Sequence, residues 1–258
     1  VDRWLALAGG GAGGMKIEFS AIDLKVGELD VLARRFHDVA LAGTVQGGTW
    51  RTTVSGRELE GTATWQPQGR GKLAARLKKL VIPPAIEAAA SSAQPAAERK
   101  RELPGLDIVA DQFQVKDKQL GKLELTAVSE ERDWRIEKLR LTSPDGTLAA
   151  DGVWQNWHTQ PRTQINLQLE TGDIGKLLTR LGYPEGVRRG TAKLHGALAW
   201  PGSPQDFDYP LLSGNIVLEA AKGQFVKLEP GIGKLLGILS LQSLPRRITL
   251  DFRDIFSE

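Results

Sequence analysis

The chain has 258 residues, of which 41% are hydrophobic and 25% charged, as in ordinary globular proteins. Its 34 Lys and Arg residues nearly balance its 31 Asp and Glu residues, and the charges are mixed along the chain, which argues against a nucleic-acid partner. The chain contains no cysteine, so disulfides, thiol catalysis and zinc–thiolate sites are excluded.

The first segment, residues 1–82, reads as β-rich. Apolar and polar residues alternate in "MKIEF" and again in "AIDLKV", and one extra residue between these runs predicts a bulge or a bend. The spacing of Leu29, Leu32 and Phe36 in "GELDVLARRF" predicts a short helix with these side chains facing inward. Turn-like spacers such as "VQGGTW" and "VSGRELEG" separate the strand-like runs that follow.

Residues 83–103, "PPAIEAAASSAQPAAERKREL", interrupt this pattern. Their Ala, Ser, Pro and charged residues predict either a flexible linker or a short surface helix, and the composition favours a mobile connection. The chain begins without an initiator Met and ends directly after a strand-like run. We therefore expect a piece of a longer protein, whose signal or anchor would lie outside it.

The second segment, residues 104–258, is again β-rich and adds two short helices. Alternation marks "QINLQLE" and "RITLDF", whereas "DWRIEKLRL" contains a one-residue slip between Ile136 and Leu139. A helix is predicted at 173–181, with Asp173 as N-cap and Gly182 at its C-terminal end. "GIGKLLGILSLQSLPRR" predicts a second helix at 231–243. This helix is apolar around nearly its whole circumference, so it must be buried. It either narrows a groove or only protects a core.

Imperfect repeats indicate a stacked, elongated architecture. "NLQLETGDIGKLL" from Asn166 resembles "NIVLEAAKGQFVKLEPGIGKLL" from Asn215, and the stretch 50–65 resembles 134–154. The predicted fold class is mainly β: an elongated, curled antiparallel sheet, groove-like and repeat-built, with a few short apolar helices. About 14 strands at about 4.8 Å spacing would extend roughly 65 Å.

The apolar side of such a sheet is the candidate functional surface, because an elongated sheet with few helices leaves that side open as a groove. The predicted groove-capping helix residues are Ile232, Leu235, Leu236 and Leu239. The predicted groove residues are Ile17, Phe19, Ile22, Leu24, Val26, Val54, Trp134, Ile136, Leu139, Leu141, Ile165, Leu167, Leu169, Leu194, Leu198, Ile216, Leu218, Phe225, Ile248, Leu250 and Phe252.

Tryptophans fall at strand ends or beside turns, as in the runs that begin or end at positions 50, 65, 134, 154 and 200. They either plug the ends of a sheet core or contact lipid at a rim of the groove, and the sequence leaves both open.

No group of residues predicts catalysis, a metal site or a cofactor. His37, His158 and His195 have no ligand spacing among them, and acidic pairs such as Glu130–Glu131 lie in apparent turns. "GGGAGG" lacks the Lys and Ser/Thr of a phosphate loop. We expect no catalytic residue, no cofactor and no enzyme activity.

Two C-terminal stretches closely resemble sequences of the AsmA-like family of Gram-negative envelope proteins: "KLEPGIGKLLGILSLQSLPRR", 227–247, and "LDFRDIF". The resemblance implies an inner-membrane anchor missing from this piece, and a long curled β-sheet in the periplasm. It also implies phospholipid as the partner, carried towards the outer membrane along a hydrophobic groove. Because a relative is linked to outer-membrane protein assembly, the alternative is a scaffold that binds outer-membrane strands by edge pairing.

Overall fold

The computed structural model describes residues 20–31, 34–84, 103–130, 133–156, 160–183, 187–204, 211–225 and 246–251. Strands β1 to β5 are Ala21–Val31, Arg34–Gln46, Thr49–Ser55, Leu59–Gln66 and Lys72–Ile82. Strands β6 to β10 are Gly105–Val115, Lys118–Ser129, Asp133–Ser143, Gly146–Gln155 and Arg162–Thr171. Helix α1, Ile174–Arg180, precedes β11 to β15, which are Val187–Arg188, Thr191–Pro201, Ser213–Ala221, Gln224–Phe225 and Arg246–Asp251.

Thirteen strands form one sheet, in the order β1 to β10, then β12, β13 and β15, and β11 pairs with β14 in a separate two-stranded ribbon. The sheet is not closed within the described part of the chain, because β1 pairs there with β2 alone and β15 with β13 alone. At about 4.8 Å between strands, thirteen strands extend about 58 Å. The mainly β, curled sheet predicted from the sequence is confirmed.

One pair of strands departs from the predicted antiparallel meander. β5 and β6 are parallel, with Lys72 opposite Gly105 and Ile82 opposite Val115. Strand β6 therefore starts beside the beginning of β5, which requires a connection of a dozen residues or more. The stretch 83–104 supplies that length, although its residues 85–102 lie outside the described part of the chain.

The helix predicted over "GELDVLARRF" is wrong, because this stretch contributes to the β1–β2 hairpin. Leu29 pairs with Phe36 and Val31 with Arg34. Arg35 forms ion pairs at 2.8 Å with Glu28 and with Asp30 on the opposite strand. Pairing between the two strands thus outweighs the helix-like spacing of the apolar residues.

Helix α1 is present as predicted. The Asp173 side chain accepts a hydrogen bond from the Lys176 backbone N–H, at 3.0 Å, and so caps the N-terminus. At the other end Gly182 has φ +93°, and the N–H groups of Gly182 and Tyr183 donate to the carbonyls of Thr179 and Leu178. These bonds satisfy the last carbonyls of the helix. The predicted helix at 231–243 lies outside the described residues.

The predicted slip in "DWRIEKLRL" and the predicted similarity of 50–65 to 134–154 are also confirmed. The register of β8 against β9 shifts between Ile136 and Leu139. The two similar stretches fold as equivalent hairpins, with Trp50 opposite Trp65 in one and Trp134 opposite Trp154 in the other.

Glu58 links the ends of β2, β4 and β5. Its carboxylate should make the free energy of unfolding depend on pH. Its nearly buried carboxylate accepts hydrogen bonds from the His37 backbone N–H, at 2.7 Å, and contacts His37 Nδ1 at 2.8 Å. Burial raises the pKa of Glu58, but these hydrogen bonds outweigh it, and the net pKa lies below the ordinary value of 4.5. This carboxylate therefore contributes stability above pH 4.5 that is lost as the pH falls through the lowered pKa.

We expect Glu58→Gln to lower the free energy of unfolding by about 1–2 kcal/mol at neutral pH and to reduce its decline below pH 4.5. Urea unfolding over a pH series measures both quantities. The control is Glu60→Gln, whose exposed partner Lys78 lies 3.1 Å away and adds little stability. An unchanged decline in the Glu58 variant would contradict this assignment.

Candidate functional site

Cross-strand register places alternate residues of all thirteen strands on one side of the sheet, which we call the apolar face. Two rows of directly paired residues run across it without a break. The first row is Ile22, Gly43, Thr52, Ala63, Ala75, Ile108, Leu125, Leu139, Ala150, Leu167, Gly196, Ile216 and Leu250. The second row is Leu24, Leu41, Val54, Gly61, Leu77, Ala110, Leu123, Leu141, Leu148, Leu169, Leu194, Leu218 and Ile248.

Most of the predicted groove positions belong to these rows or to the adjoining ones. Val26 adjoins them in β1, and Trp134, Ile136, Ile165 and Leu198 adjoin them in β8, β10 and β12. Phe225 instead lies in β14, where it pairs with Val187 in the two-stranded ribbon. The predicted positions outside the described residues are Ile17, Phe19, Phe252, Ile232, Leu235, Leu236 and Leu239.

Sequence reasoning missed the centre of the apolar face. The missed positions in β5 to β7 include Leu77, Ala110 and Leu123, which lie in one row. The alternation in "KLAARL" and in "LDIVA" is the signal that could have found these strands.

A cluster of buried residues lies at the centre of the apolar face. Ala110 is 0% exposed and packs with Val54, Leu77 and Leu123 in one cluster. Leu24, in β1, is 42% exposed. Within the described residues the other sheet is the two-stranded β11–β14 ribbon, so no large second sheet covers this face there.

One edge of the apolar face, which we call the tryptophan rim, carries Trp50, Trp65, Trp134, Trp154 and Trp200. Register joins Trp134 to Trp154, Trp154 to Thr163, and Thr163 to Trp200, so these four side chains form a short row at the strand ends. Trp50 and Trp65 pair at the corresponding ends of β3 and β4. Every tryptophan of the described ranges lies at this rim.

The indole groups of this rim differ in their hydrogen bonds. Trp134 Nε1 donates to the Pro104 carbonyl at 2.9 Å, and Trp200 Nε1 donates to the Ser203 carbonyl at 3.0 Å. Trp154 Nε1 is buried without a hydrogen-bond partner in the described structure. Because Trp134 and Trp154 are 6% and 4% exposed, they form a matched pair that differs mainly in this bond.

We expect Trp134→Phe to lower the free energy of unfolding by about 1 kcal/mol more than Trp154→Phe. Both changes leave a similar cavity, but the first also leaves the Pro104 carbonyl without its donor. Urea unfolding of the two variants makes the comparison. Equal costs, or a larger cost at Trp154, would contradict the assigned hydrogen bond.

The opposite edge, which we call the helix rim, is bridged by α1. Arg180 Nε lies 2.6 Å from Asp145 Oδ2 in the β8–β9 turn. A Cβ added to Gly182 would lie 2.5 Å from Lys118 Nζ, so the end of the helix also approaches the β6–β7 turn. At its start, the backbone of Gly175 approaches Val187 in β11. Helix α1 therefore runs along the ends of β7 to β10.

The other side of the sheet is polar. Lys138 pairs with Glu124 across β7 and β8, and Arg76 pairs with Asp107 across β5 and β6. The hydrogen bonds from these cations lower the pKa values of Glu124 and Asp107. Such exposed pairs add little stability, but they make this side hydrophilic, in contrast to the apolar face.

A shallow depression of about 930 Å³ lies on the polar side, over β8 to β13. Its walls include Arg140, Glu170, Lys193 and Glu219, and Lys193 lies 3.3 Å from Glu170. These charges neutralise one another and do not converge on one point. The depression therefore lacks the apolar lining and convergent polar groups typical of a small-molecule pocket.

The described ranges show neither a metal-binding cluster nor a membrane-spanning helix. No group of three or more His, Asp or Glu side chains is placed there to hold a metal ion. No helix in that part of the chain has the length and apolar character needed to cross a bilayer.

The fold and the two rows define a class: open β-sheet proteins with a continuous apolar face. The family model described as YhdP protein matches residues 1–258, and the chain belongs to this family. The chain is 24% identical over 268 residues to the intermembrane phospholipid transporter YhdP of Escherichia coli K12. That match covers 99% of this chain and 21% of the relative. No solved structure matched the chain significantly. This membership confirms the family resemblance that the C-terminal stretches indicated.

Proposed function

We propose that this chain is a periplasmic section of a bridge-like carrier that moves phospholipid between the inner and outer membranes, without catalysis. The full-length protein would be anchored in the inner membrane. The observation that supports this most strongly is the pair of unbroken apolar rows across thirteen strands. The relative is an intermembrane phospholipid transporter, which supports the same cargo.

The energy of hydrocarbon burial explains why an apolar surface would serve this purpose. Each methylene group that leaves an apolar environment for water costs about 0.8 kcal/mol, so an acyl chain of about 16 carbons would lose roughly 12 kcal/mol. A continuous apolar face removes most of that barrier, while the head group stays in water at an edge of the sheet.

Movement of a lipid along the apolar face also requires a surface without deep local pockets or unsatisfied polar groups. Thr52 is the single polar side chain of the two rows, and its hydroxyl donates to the Ala63 carbonyl at 3.2 Å. The rest of the two rows is aliphatic or glycine and offers no directional bond to hold a lipid in place. Movement along the face would therefore meet small barriers.

Lipid extraction tests this proposal. We expect the chain, purified from a Gram-negative periplasm under mild conditions, to carry phospholipid detectable by mass spectrometry. Lipid-free protein that accepts no phospholipid from vesicles would overturn the proposal. Capture of unfolded outer-membrane strands by such lipid-free protein would favour the scaffold alternative.

A further inference from the structure

The apolar face is not equally buried along the sheet. We propose that the acyl chains of a carried phospholipid rest on the part formed by β9, β10, β12 and β13, which we call the resting section. This inference rests on the proposed function and adds a location to it. In β10 the inner residues of the resting section are Ile165, Leu167 and Leu169, and in the other three strands they are the residues that register places in the same rows.

The resting section keeps apolar area that the centre of the face has already buried. In β5 to β7, Leu77, Ala110 and Leu123 of the second row are 7%, 0% and 5% exposed and belong to one packed cluster. Every inner residue of the resting section is instead half-buried. Hydrophobic stabilisation is proportional to the apolar area removed from water. A hydrocarbon therefore gains more by covering the resting section than by lying against the packed cluster.

The backbone of the resting section favours a hydrocarbon over a peptide strand as its occupant. Each of its four strands is paired with a neighbour on both sides, so the section has no free strand edge. A peptide strand laid over it would bury its own N–H and C=O groups without partners. An acyl chain carries no such groups, and the inner residues of the section are all aliphatic or glycine.

Two threonines of β10 mark the borders of the resting section. Thr163 is 1% exposed and donates through Oγ1 to the Gly202 carbonyl at 2.9 Å. Thr171 is 7% exposed and donates through Oγ1 to the Asp145 carbonyl at 2.6 Å. Because both hydroxyl protons are already bonded to backbone, the borders offer no free donor to a lipid. The acyl chains are held by apolar contact alone.

Single cysteines test the location, because the chain has none of its own. Ala150→Cys and Ala75→Cys make the same small change in the first row, but Ala150 is half-buried in the resting section whereas Ala75 is 6% exposed in β5. Ala149→Cys is the control on the exposed polar side of β9. Circular dichroism checks that each variant is folded.

The measured quantity is the rate at which each thiol reacts with a small charged methanethiosulfonate reagent. Each variant is measured free of lipid and again after loading from phosphatidylcholine vesicles, which are then removed. Mass spectrometry counts the bound phosphatidylcholine. We expect loading to slow the reaction at position 150 by about tenfold, since the thiol then reacts only in the minor lipid-free fraction. Position 75 should react slowly in both states, and position 149 should react equally fast in both.

Three results would overturn the location. The first is equal slowing at positions 75 and 150, because lipid would then cover the centre of the face as well. The second is an unchanged rate at position 150 in protein that holds lipid. The third is slow reaction at position 150 without lipid, which would mean that protein already covers the section. If no lipid is bound and position 150 reacts fast throughout, the proposed function fails together with the location.

Discussion

Replacing Leu167 by Asp should reduce phospholipid binding strongly and leave the sheet folded. Leu167 lies in the first unbroken row, between Ala150 and Gly196, and its side chain is half-buried. A carboxylate there stands in the path of the acyl chain, and bringing a charge against hydrocarbon costs several kcal/mol. Since 1.4 kcal/mol already changes an affinity tenfold, we expect bound phospholipid to fall by about tenfold or more.

The neighbouring residue provides the control for this variant. Gln168 is exposed and lies on the polar side of the same strand, so Gln168→Asp adds the same charge without entering the apolar face. Circular dichroism and thermal unfolding check that both variants are folded, and mass spectrometry counts the retained lipid. Full retention of lipid by folded Leu167→Asp protein would contradict a path along this face.

Replacing Gly61 by Ala should destabilise the sheet by about 3 kcal/mol or more. Gly61 lies in the second row at φ +151°, and a Cβ there would stand 2.2 Å from the Arg76 carbonyl oxygen of the next strand. The register of β4 against β5 shifts next to this residue. Neither the backbone angle nor the approach of the strands can accommodate a side chain without moving β5.

Two other glycines separate the causes of this loss. Gly69 has φ +63° but nothing within 4 Å of an added Cβ, so Gly69→Ala measures backbone strain alone. Gly27 has nothing within 4 Å and no positive φ, so Gly27→Ala should change stability little. Urea unfolding of the three variants should rank the loss Gly61 above Gly69 above Gly27. A Gly61 variant as stable as the Gly27 variant would refute the close approach of β4 and β5.

Hydrophobic alternation predicted many positions of the apolar face outside its centre, because each half-buried strand repeats with a period of two. It placed Leu24, Val54 and Leu169 in what proved to be one register row. It also predicted the slip near Ile136, because an extra residue in a strand changes the phase of the alternation. The cap of α1 followed from Asp173, whose short carboxylate side chain is favoured at the N-cap because it can accept a hydrogen bond from the first turn.

The errors have physical causes as well. Alternation is the same in either chain direction, so the parallel pairing of β5 with β6 leaves no mark on it. Leu29 and Phe36 have a spacing that suits a helix, but they meet as partners across a hairpin. The difference between the two rims depends on which strand ends α1 bridges, and this contact between distant elements has no local pattern in the sequence.

Photocrosslinking with a phospholipid that carries a diazirine at the end of one acyl chain tests the lipid path most directly. Within β10, we expect labelled residues to alternate, with label on Ile165, Leu167 and Leu169 and none on Gln164 and Gln168. The labelled residues of the other long strands should alternate in the same way along the whole sheet. Label on the polar side, or label without any period of two, would contradict a continuous apolar face as the route of the lipid.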